Sequence, residues 1–209
     1  MASLPDFSLA ASEIITAGKD LAQRGQVPAT SGNFSRRIND HYIAITASGT
    51  DKGSLTENDV LLFDLETDAL AGPGTASAET PLHTSLYRIN PSIGAVLHTH
   101  SKNATLVSME LGDTERLMLT NYELLKAFRG FNSHTATAEV PLFANDQDMV
   151  RLSNLVEARL KANFQGVIGY LLTGHGLYTW GTNMVEARRH IEAFEFILDC
   201  ELERMRLRR

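Results

Sequence analysis

The sequence predicts a single α/β domain whose sheet is largely antiparallel or mixed. Its 209 residues fit one domain, and hydrophobic and charged fractions of 43% and 21% are ordinary for a globular protein. Helix-like and strand-like segments mix along the chain without a repeat, a linker or a low-complexity stretch. Several strand-like segments follow one another through short turns, which favours antiparallel pairing.

The first third of the chain predicts one helix followed by three strands. Apolar residues near helical spacing predict the helix over 8–24, with Ser8 as its N-cap and Gly25 at its end. The three strands are predicted where β-branched and aromatic residues cluster between turn residues, at 34–38, 41–46 and 60–67.

The remaining two thirds predicts buried strands alternating with helices. The strands are expected at 93–100, 138–144, 167–173 and 177–180. The helices are expected at 81–89, 101–111, 121–128, 146–164 and 183–205. Ser101 and Asp146 are the predicted N-caps of the second and fourth of these helices, and Pro91 requires the first to end before it.

Charge and composition exclude several classes of protein. A net charge of −6 argues against a nucleic-acid-binding surface, because phosphate binding needs a clustered positive field. No run approaches the ~18 uninterrupted apolar residues of a membrane span, so no membrane partner is expected. The single cysteine, Cys200, cannot form an intrachain disulfide, and the N-terminal residues lack the pattern of a signal peptide. A cytoplasmic protein is therefore expected.

Two histidines stand two positions apart at the end of the strand-like run AVLHTHS. In a strand, His98 and His100 point to the same face with alpha carbons about 6.6 Å apart, whereas Thr99 points to the opposite face. Two imidazoles placed in this way can converge on one ion at ~2.0–2.1 Å. Taken alone, the pair is explained equally well as two metal ligands or as two polar residues at the end of a strand.

A third histidine, His175, stands between Gly174 and Gly176 directly after the predicted strand 167–173. A histidine in a tight turn gains nothing from core packing, although it can bond to the backbone there. Three neutral imidazoles with an open position are typical of a catalytic zinc site. No cysteine lies near these histidines in the sequence, so a closed structural site is not indicated.

The other four histidines are interpreted as structural or surface residues. His83 and His190 fall on predicted helices, and His41 and His134 fall near predicted turns. His83 also follows Glu79 by four residues and can share a helix face with it.

Five stretches of the chain together resemble the class II aldolase/adducin family. They occur in the family's order and span about 150 residues: SGNFS (31–35), ITASGTDKG (45–53), SAETPLH (77–83), AVLHTHS (95–101) and LLTGHGLYTWG (171–181). The resemblance implies one domain over residues 1–209, with a three-layer α/β/α fold and a central, mainly antiparallel sheet. It also implies that the substrate is a small sugar phosphate.

The resemblance also assigns the metal. His98, His100 and His175 match the ligands that hold one zinc ion per subunit in the family. It further implies a cyclic homotetramer with its sites near the subunit interfaces.

The same resemblance assigns a phosphate-binding region. The residues at positions that hold the substrate phosphate in relatives are Asn33, Ser48, Gly49 and Ser77. Ser31 and Gly32 belong to the same turn as Asn33, and Lys52 can supply a positive charge. Glycine-rich turns expose backbone N–H groups, and hydroxyl and amide side chains add donors. Each stretch alone can also be an ordinary turn.

Two glutamates are candidates for the acid/base residue. Glu79 matches the acid/base of the family's aldolase branch, and Glu123, in TNYE, matches that of its dehydratase branch. The plainer interpretation of Glu123 is a first-turn glutamate favoured by the helix dipole. The stretches around the metal strand resemble the dehydratase branch most, so Glu123 is expected to act first as base and then as acid. Glu79 is then expected to orient a ligand or to occupy the open metal position.

Two other functions remain open. A sugar-phosphate aldolase or a pentulose-phosphate 4-epimerase would use the same metal but break or remake the C3–C4 bond. The chain ends in RMRLRR without the tyrosine-bearing tail of the aldolases, which weakens that interpretation. A metal-free, adducin-like scaffold is the alternative from a different class, and the presence of all three histidines argues against it.

Overall fold

Nine strands form one sheet in the computed structural model, which describes residues 4–208. The strands are Asn33–Arg37 (β1), Tyr42–Thr46 (β2), Val60–Asp64 (β3), Ala69–Leu70 (β4), Ala95–Thr99 (β5), Arg116–Thr120 (β6), Thr137–Phe143 (β7), Gly169–Leu172 (β8) and Gly176–Gly181 (β9). The α-helices are Leu4–Gln23 (α1), Thr80–Ile89 (α2), Lys102–Glu110 (α3), Met149–Ala162 (α4) and Met184–Leu207 (α5). Two short 3₁₀ helices cover Glu57–Asp59 and Glu123–Ala127.

The sheet is mixed and mainly antiparallel, as predicted. Its strand order is β4-β3-β2-β1-β5-β9-β8-β7-β6. Only β7 and β8 pair in parallel among the paired strands of the described chain. Helices α1, α3 and α5 bury their apolar residues on one face of the sheet, and α2 and α4 bury theirs on the other. The predicted three-layer α/β/α architecture is confirmed.

The ends of the strands define two ends of the sheet, which matter for the site. We call the end where β5 finishes and β9 begins the histidine end, and the opposite end the far end. The register places Thr99, Gly176, Leu172 and Phe143 at the histidine end, and Ala95, Gly181, Thr137 and Thr120 toward the far end.

Two predicted helix starts are wrong. Helix α1 begins at Leu4 rather than after Ser8, because Phe7 already packs against the core and Asp6 lies in the first turn, where the helix dipole favours an anion. Helix α4 is capped by Asp148, whose side chain accepts from the backbone N–H of Arg151 at 3.0 Å. Asp146 instead accepts from the backbone N–H of Asp148 and pairs with the guanidinium of Arg151.

Strands β4 and β6 were not predicted. β4 has only two residues. β6 shows the alternation of a half-buried strand, since Leu117 and Leu119 are buried while Arg116 and Met118 are exposed. The segment 121–128 forms a 3₁₀ helix rather than an α-helix. Among the described helices, none is both long and apolar enough to cross a membrane.

Candidate metal centre

The three predicted histidine ligands converge at the histidine end of the sheet. The Nε2 atom of His100 lies 2.8 Å from that of His98 and 3.0 Å from that of His175, and the third separation is 3.4 Å. Tetrahedral ligands at ~2.0–2.1 Å from zinc stand about 3.4 Å apart, so the three nitrogens have nearly the spacing of a metal site.

The hydrogen bonds of the rings turn the correct nitrogens inward. His98 Nδ1 donates to the carbonyl of Leu177 at 3.0 Å, and His175 Nδ1 donates to Oδ1 of Asn145 at 3.2 Å. A neutral imidazole that donates through Nδ1 has its lone pair on Nε2, the atom that faces the cluster. Asn145, which orients His175, was not recognised from the sequence, although it lies two residues after the end of β7.

Glu79 occupies the fourth corner of the cluster. Its carboxylate oxygens lie 3.0 Å from His175 Nε2 and 3.5 Å from His98 Nε2. The ligand atoms of all four residues lie within 4.8 Å of one another. Three imidazoles and one carboxylate form a donor set that suits a zinc-like divalent ion, and the residues present therefore fit the predicted metal.

Strand geometry and ring stacking hold His98 in place. His98 lies directly opposite Tyr178 of β9, and the two rings stack with centroids 3.9 Å apart and an interplanar angle of 13°. Tyr178 in turn stacks on Tyr170 of β8 at 4.8 Å. This row of rings across three strands leaves His98 fully buried with one orientation.

The glycines around His175 are required by space and by backbone conformation. Gly174 has φ of +65°, which a side chain rarely tolerates, and the N–H of His175 closes the turn onto the carbonyl of Leu172 at 3.0 Å. A Cβ on Gly176 would overlap the carbonyl oxygen of Thr99 and lie 3.2 Å from the ring of His98. The turn can therefore bring His175 to the other two ligands only with these glycines.

The electrostatics favour the protonation states that bind a metal. Burial lowers the pKa of His98 well below its usual value, and burial followed by the charge of His175 lowers the pKa of His100 to about 4. Burial alone would raise the pKa of Glu79, but its contacts with His175, His98 and the amide of Asn33 hold that pKa below its usual value. Neutral His98 and His100 beside an ionised Glu79 favour the binding of a dication.

Asn33 and Ser77, two of the predicted phosphate contacts, adjoin the cluster. The amide nitrogen of Asn33 donates to Glu79 Oε2 and lies 3.4 Å from Ser77 Oγ. Ser77 Oγ also accepts from the backbone N–H of Glu79 at 3.2 Å. These two side chains therefore form one wall of the space around Glu79.

Lys52 connects the two predicted phosphate-binding turns. Its side chain is 1% exposed, and Nζ donates to the carbonyls of Thr30 at 3.0 Å and Thr50 at 2.6 Å. Burial lowers the pKa of this ammonium, while the charges of Asp51 and Glu79 oppose that shift. Lys52 thus places a positive charge between the SGNFS and ASGT turns.

The remaining predicted phosphate contacts lie on those turns. Gly32 has φ of +73°, and a Cβ there would lie 2.7 Å from the carbonyl oxygen of His98, so this glycine is needed for close packing. Ser31 Oγ is buried without a hydrogen-bond partner among the described residues. The N–H of Ser48 is already bonded to the carbonyl of Thr75, and Gly49, with φ of +72°, faces open space.

Glu123 lies away from the cluster of its own chain. Its side chain is 73% exposed and accepts from Lys126 Nζ at 2.5 Å, a hydrogen bond that lowers the pKa of Glu123. It follows β6, which pairs with the start of β7 toward the far end of the sheet. Four strand spacings of about 4.8 Å and some six residues of about 3.3 Å separate it from His98, which gives on the order of 25 Å.

Fold and cluster together define a class of protein: a three-layer α/β/α domain with a three-histidine, one-glutamate site at the end of its sheet. The family described as the class II aldolase and adducin N-terminal domain matches residues 12–202. The chain belongs to this family.

Curated relatives place the chain more narrowly. It is 52% identical over 190 residues to methylthioribulose-1-phosphate dehydratase of Xanthomonas campestris pv. campestris (strain 8004), covering 91% of this chain and 87% of the relative. It is 50% identical over 189 residues to the enzyme of the same name from Xylella fastidiosa (strain 9a5c), covering 90% and 86%.

A solved structure supports the fold. L-fuculose-1-phosphate aldolase from Thermus thermophilus superposes with a TM-score of 0.75 at 26% identity, covering 94% of this chain and 95% of that one.

Proposed function

We propose that this chain is a zinc-dependent hydro-lyase that dehydrates 5-methylthioribulose 1-phosphate to 5-methylthio-2,3-dioxopentyl phosphate, a step of methionine salvage in the cytoplasm. The substrate is assigned on one observation: about half of the residues are identical to those of methylthioribulose-1-phosphate dehydratases, over nine tenths of this chain. The cluster of Glu79 and three histidines supports the metal.

The histidines and Glu79 have different tasks in this proposal. His98, His100 and His175 hold one zinc ion per subunit, and Glu79 stands at the corner that a substrate oxygen would take. When bound, the ion acts as a Lewis acid that polarises the C2 carbonyl and makes the C3 proton more acidic. Glu79 then gives up that corner and orients the substrate through its neighbours Asn33 and Ser77.

A single carboxylate suffices for both proton transfers. We assign this role to Glu123, which takes the proton from C3 and delivers it to the C4 hydroxyl, so that the C4–O bond breaks and water leaves. The C3 hydroxyl of the resulting C3–C4 enol then loses its proton while another proton arrives at C4, which leaves the second ketone at C3. Atoms balance, because the product differs from the substrate by one water.

The position of Glu123 requires a neighbouring subunit. Its distance from the cluster of its own chain is far beyond the reach of one side chain, and it is exposed. A homotetramer whose sites lie at the interfaces would bring the neighbouring subunit's Glu123 to this chain's histidines. A cyclic arrangement is the simplest that gives every subunit the same contact.

The phosphate group would bind beside Asn33 and Ser77. Ser31 offers a buried hydroxyl with no partner among the described residues, and Lys52 supplies a positive charge between the two turns. Gly49 leaves open space through which the phosphate can approach the ASGT turn.

One observation favours a second candidate. In this chain it is Glu79, the match to the aldolase acid/base, that contacts the histidines, whereas Glu123 does not. An aldolase or 4-epimerase acting on a sugar phosphate is therefore the alternative function.

Turnover separates the two functions. The zinc-loaded protein is offered 5-methylthioribulose 1-phosphate, fuculose 1-phosphate and ribulose 5-phosphate, with chelator-treated protein as the control. We expect a diketone product only from the first substrate and only with metal. Turnover of the other two alone would establish the aldolase or epimerase instead.

A further inference from the structure

A chain of buried polar groups lies behind the metal cluster and was not assigned a function above. Tyr87 OH lies 2.9 Å from Ser35 Oγ, which lies 2.7 Å from His83 Nδ1. His83 Nε2 lies 2.5 Å from Asn33 Oδ1, and the amide nitrogen of Asn33 donates to Glu79. The chain therefore runs from the core to the fourth corner of the cluster.

Each hydrogen bond in this chain has only one workable direction. An ionised Glu79 can only accept, so the amino group of Asn33 must face it and the carbonyl oxygen of Asn33 must face His83. His83 therefore carries its proton on Nε2. Its Nδ1 then accepts from the hydroxyl of Ser35. Burial, opposed by the charge of Glu79, lowers the pKa of His83 to about 4, which supports the neutral form.

His83 thereby selects between the two orientations of the Asn33 amide. With the amide reversed, the carbonyl oxygen of Asn33 would face the carboxylate of Glu79, and two acceptors would oppose each other in a buried site. The N–H of His83 is the partner that makes the observed orientation favourable. His83 is 0% exposed and also packs edge-on against Tyr178, whose ring stacks on His98.

We propose that His83 is a positioning residue of the metal centre, which acts through Asn33. By fixing the amide, it holds the Glu79 carboxylate at the fourth corner and keeps the amino group of Asn33 directed into the site as a donor. The part that concerns Glu79 depends only on the cluster. The part that concerns substrate rests on the proposed function.

Two substitutions separate positioning from ordinary core packing. In His83→Gln, the side-chain amide can donate from near the position of Nε2 and so keep the contact with Asn33. In His83→Asn, the shorter side chain reaches only the position of Nδ1 and keeps the contact with Ser35 instead. Both variants remove the buried ring, so a packing role predicts similar effects.

The readout is zinc affinity, measured by competition with a chromophoric chelator. Removing a group that hydrogen-bonds to a metal ligand typically weakens metal binding by about 10–100-fold. His83 acts one contact further out, through Asn33, so we expect His83→Asn to weaken zinc binding by about tenfold, the lower end of that range, and His83→Gln to change it by less than about threefold. Tyr87→Phe, at the other end of the chain of hydrogen bonds and also buried, is the matched control and should bind zinc like the parent.

A smaller change tests the same idea if His83→Asn does not fold. Ser35→Ala removes the hydroxyl that holds Nδ1 of His83, and it should weaken zinc binding more than Tyr87→Phe does. Equal affinities for these two variants would contradict the proposal.

The outcomes distinguish this proposal from the proposed function. If the parent dehydrates its substrate while His83→Gln and His83→Asn bind zinc equally well or equally poorly, the positioning role is overturned and the function stands. If the two variants differ as expected but the parent does not dehydrate methylthioribulose 1-phosphate, the function fails and the positioning role stands.

Discussion

Subunit complementation tests whether Glu123 acts on a neighbouring subunit. The perturbation is a pair of variants, Glu123→Gln and His100→Ala, each of which removes one component of the proposed site. Loss of a general acid/base typically costs 10²–10⁴-fold in rate, and loss of a metal ligand removes the metal, so each variant alone should be nearly inactive. The two proteins are then co-expressed with different tags so that mixed oligomers form.

The expected recovery follows from the position of Glu123. With Glu123 on the order of 25 Å from its own histidines, an active site needs histidines from a Glu123→Gln chain and the glutamate of an adjacent His100→Ala chain. In a random equal mixture each condition is met half of the time, which makes about one quarter of the sites complete, and selection of mixed tetramers through both tags raises the expected recovery to about three tenths of the parent activity. The assay is dehydration of methylthioribulose 1-phosphate by oligomers purified through both tags.

A matched control uses two residues of the same cluster. Glu79→Gln mixed with His100→Ala should recover nothing if Glu79 also proves essential, because both residues belong to one chain's cluster. The reasoning about Glu123 is refuted if doubly tagged oligomers of Glu123→Gln and His100→Ala stay at the level of the single variants. It is refuted equally if Glu123→Gln alone retains full activity.

Four further predictions concern stability and binding. Gly176→Ala should lower Tm by several degrees in calorimetry, because its Cβ would overlap the carbonyl of Thr99, whereas Gly72→Ala, with open space around it, should not. Zinc at about 1,000 times its Kd should stabilise the fold by about 4 kcal/mol, and addition of a chelator should reverse this shift in Tm. His83 has a pKa of about 4 when folded and 6.5 as a free group, so the unfolded chain binds the extra proton between these values. As the pH falls through that window, the free energy of unfolding of the metal-free parent, measured by urea denaturation, should drop by up to about 3 kcal/mol more than that of His83→Gln, because the lowered pKa values of His98 and His100 act in both proteins. Lys52→Met removes the buried ammonium between the two turns and should raise KM about tenfold or more, with zinc affinity unchanged.

The convergence of the three candidate metal ligands could be predicted from the sequence because their placement depends on local geometry. Two-residue spacing in a buried strand puts His98 and His100 on one side whatever the rest of the fold does. The glycines beside His175 indicated a tight turn, and the structure shows a φ at Gly174 and a backbone approach at Gly176 that require them. Both signals depend on a few neighbouring residues.

The fourth corner was harder to predict because it depends on tertiary contacts. Glu79 was expected either to orient a ligand or to fill the open position, and its spacing from the histidines in the sequence does not decide between these. The direction of its carboxylate depends on Asn33, which lies 46 residues away along the chain. The orientation of Asn33 depends in turn on His83, which had been interpreted as structural.

The unpredicted strand β6 explains why the position of Glu123 could not be read from the order of the motifs. Glu123 follows His100 by about two dozen residues. Over that length the chain can either turn back to the histidines or lead away from them. Ser108 and Gly174 hydrogen-bond near the histidine end, so α3 still lies there. It is β6, through its register with β7, that carries the chain from Arg116 toward the far end at Thr120. Because that strand leads Glu123 away from its own histidines, a catalytic Glu123 and a monomeric enzyme are incompatible, and the assignment of the reaction depends on the assembly.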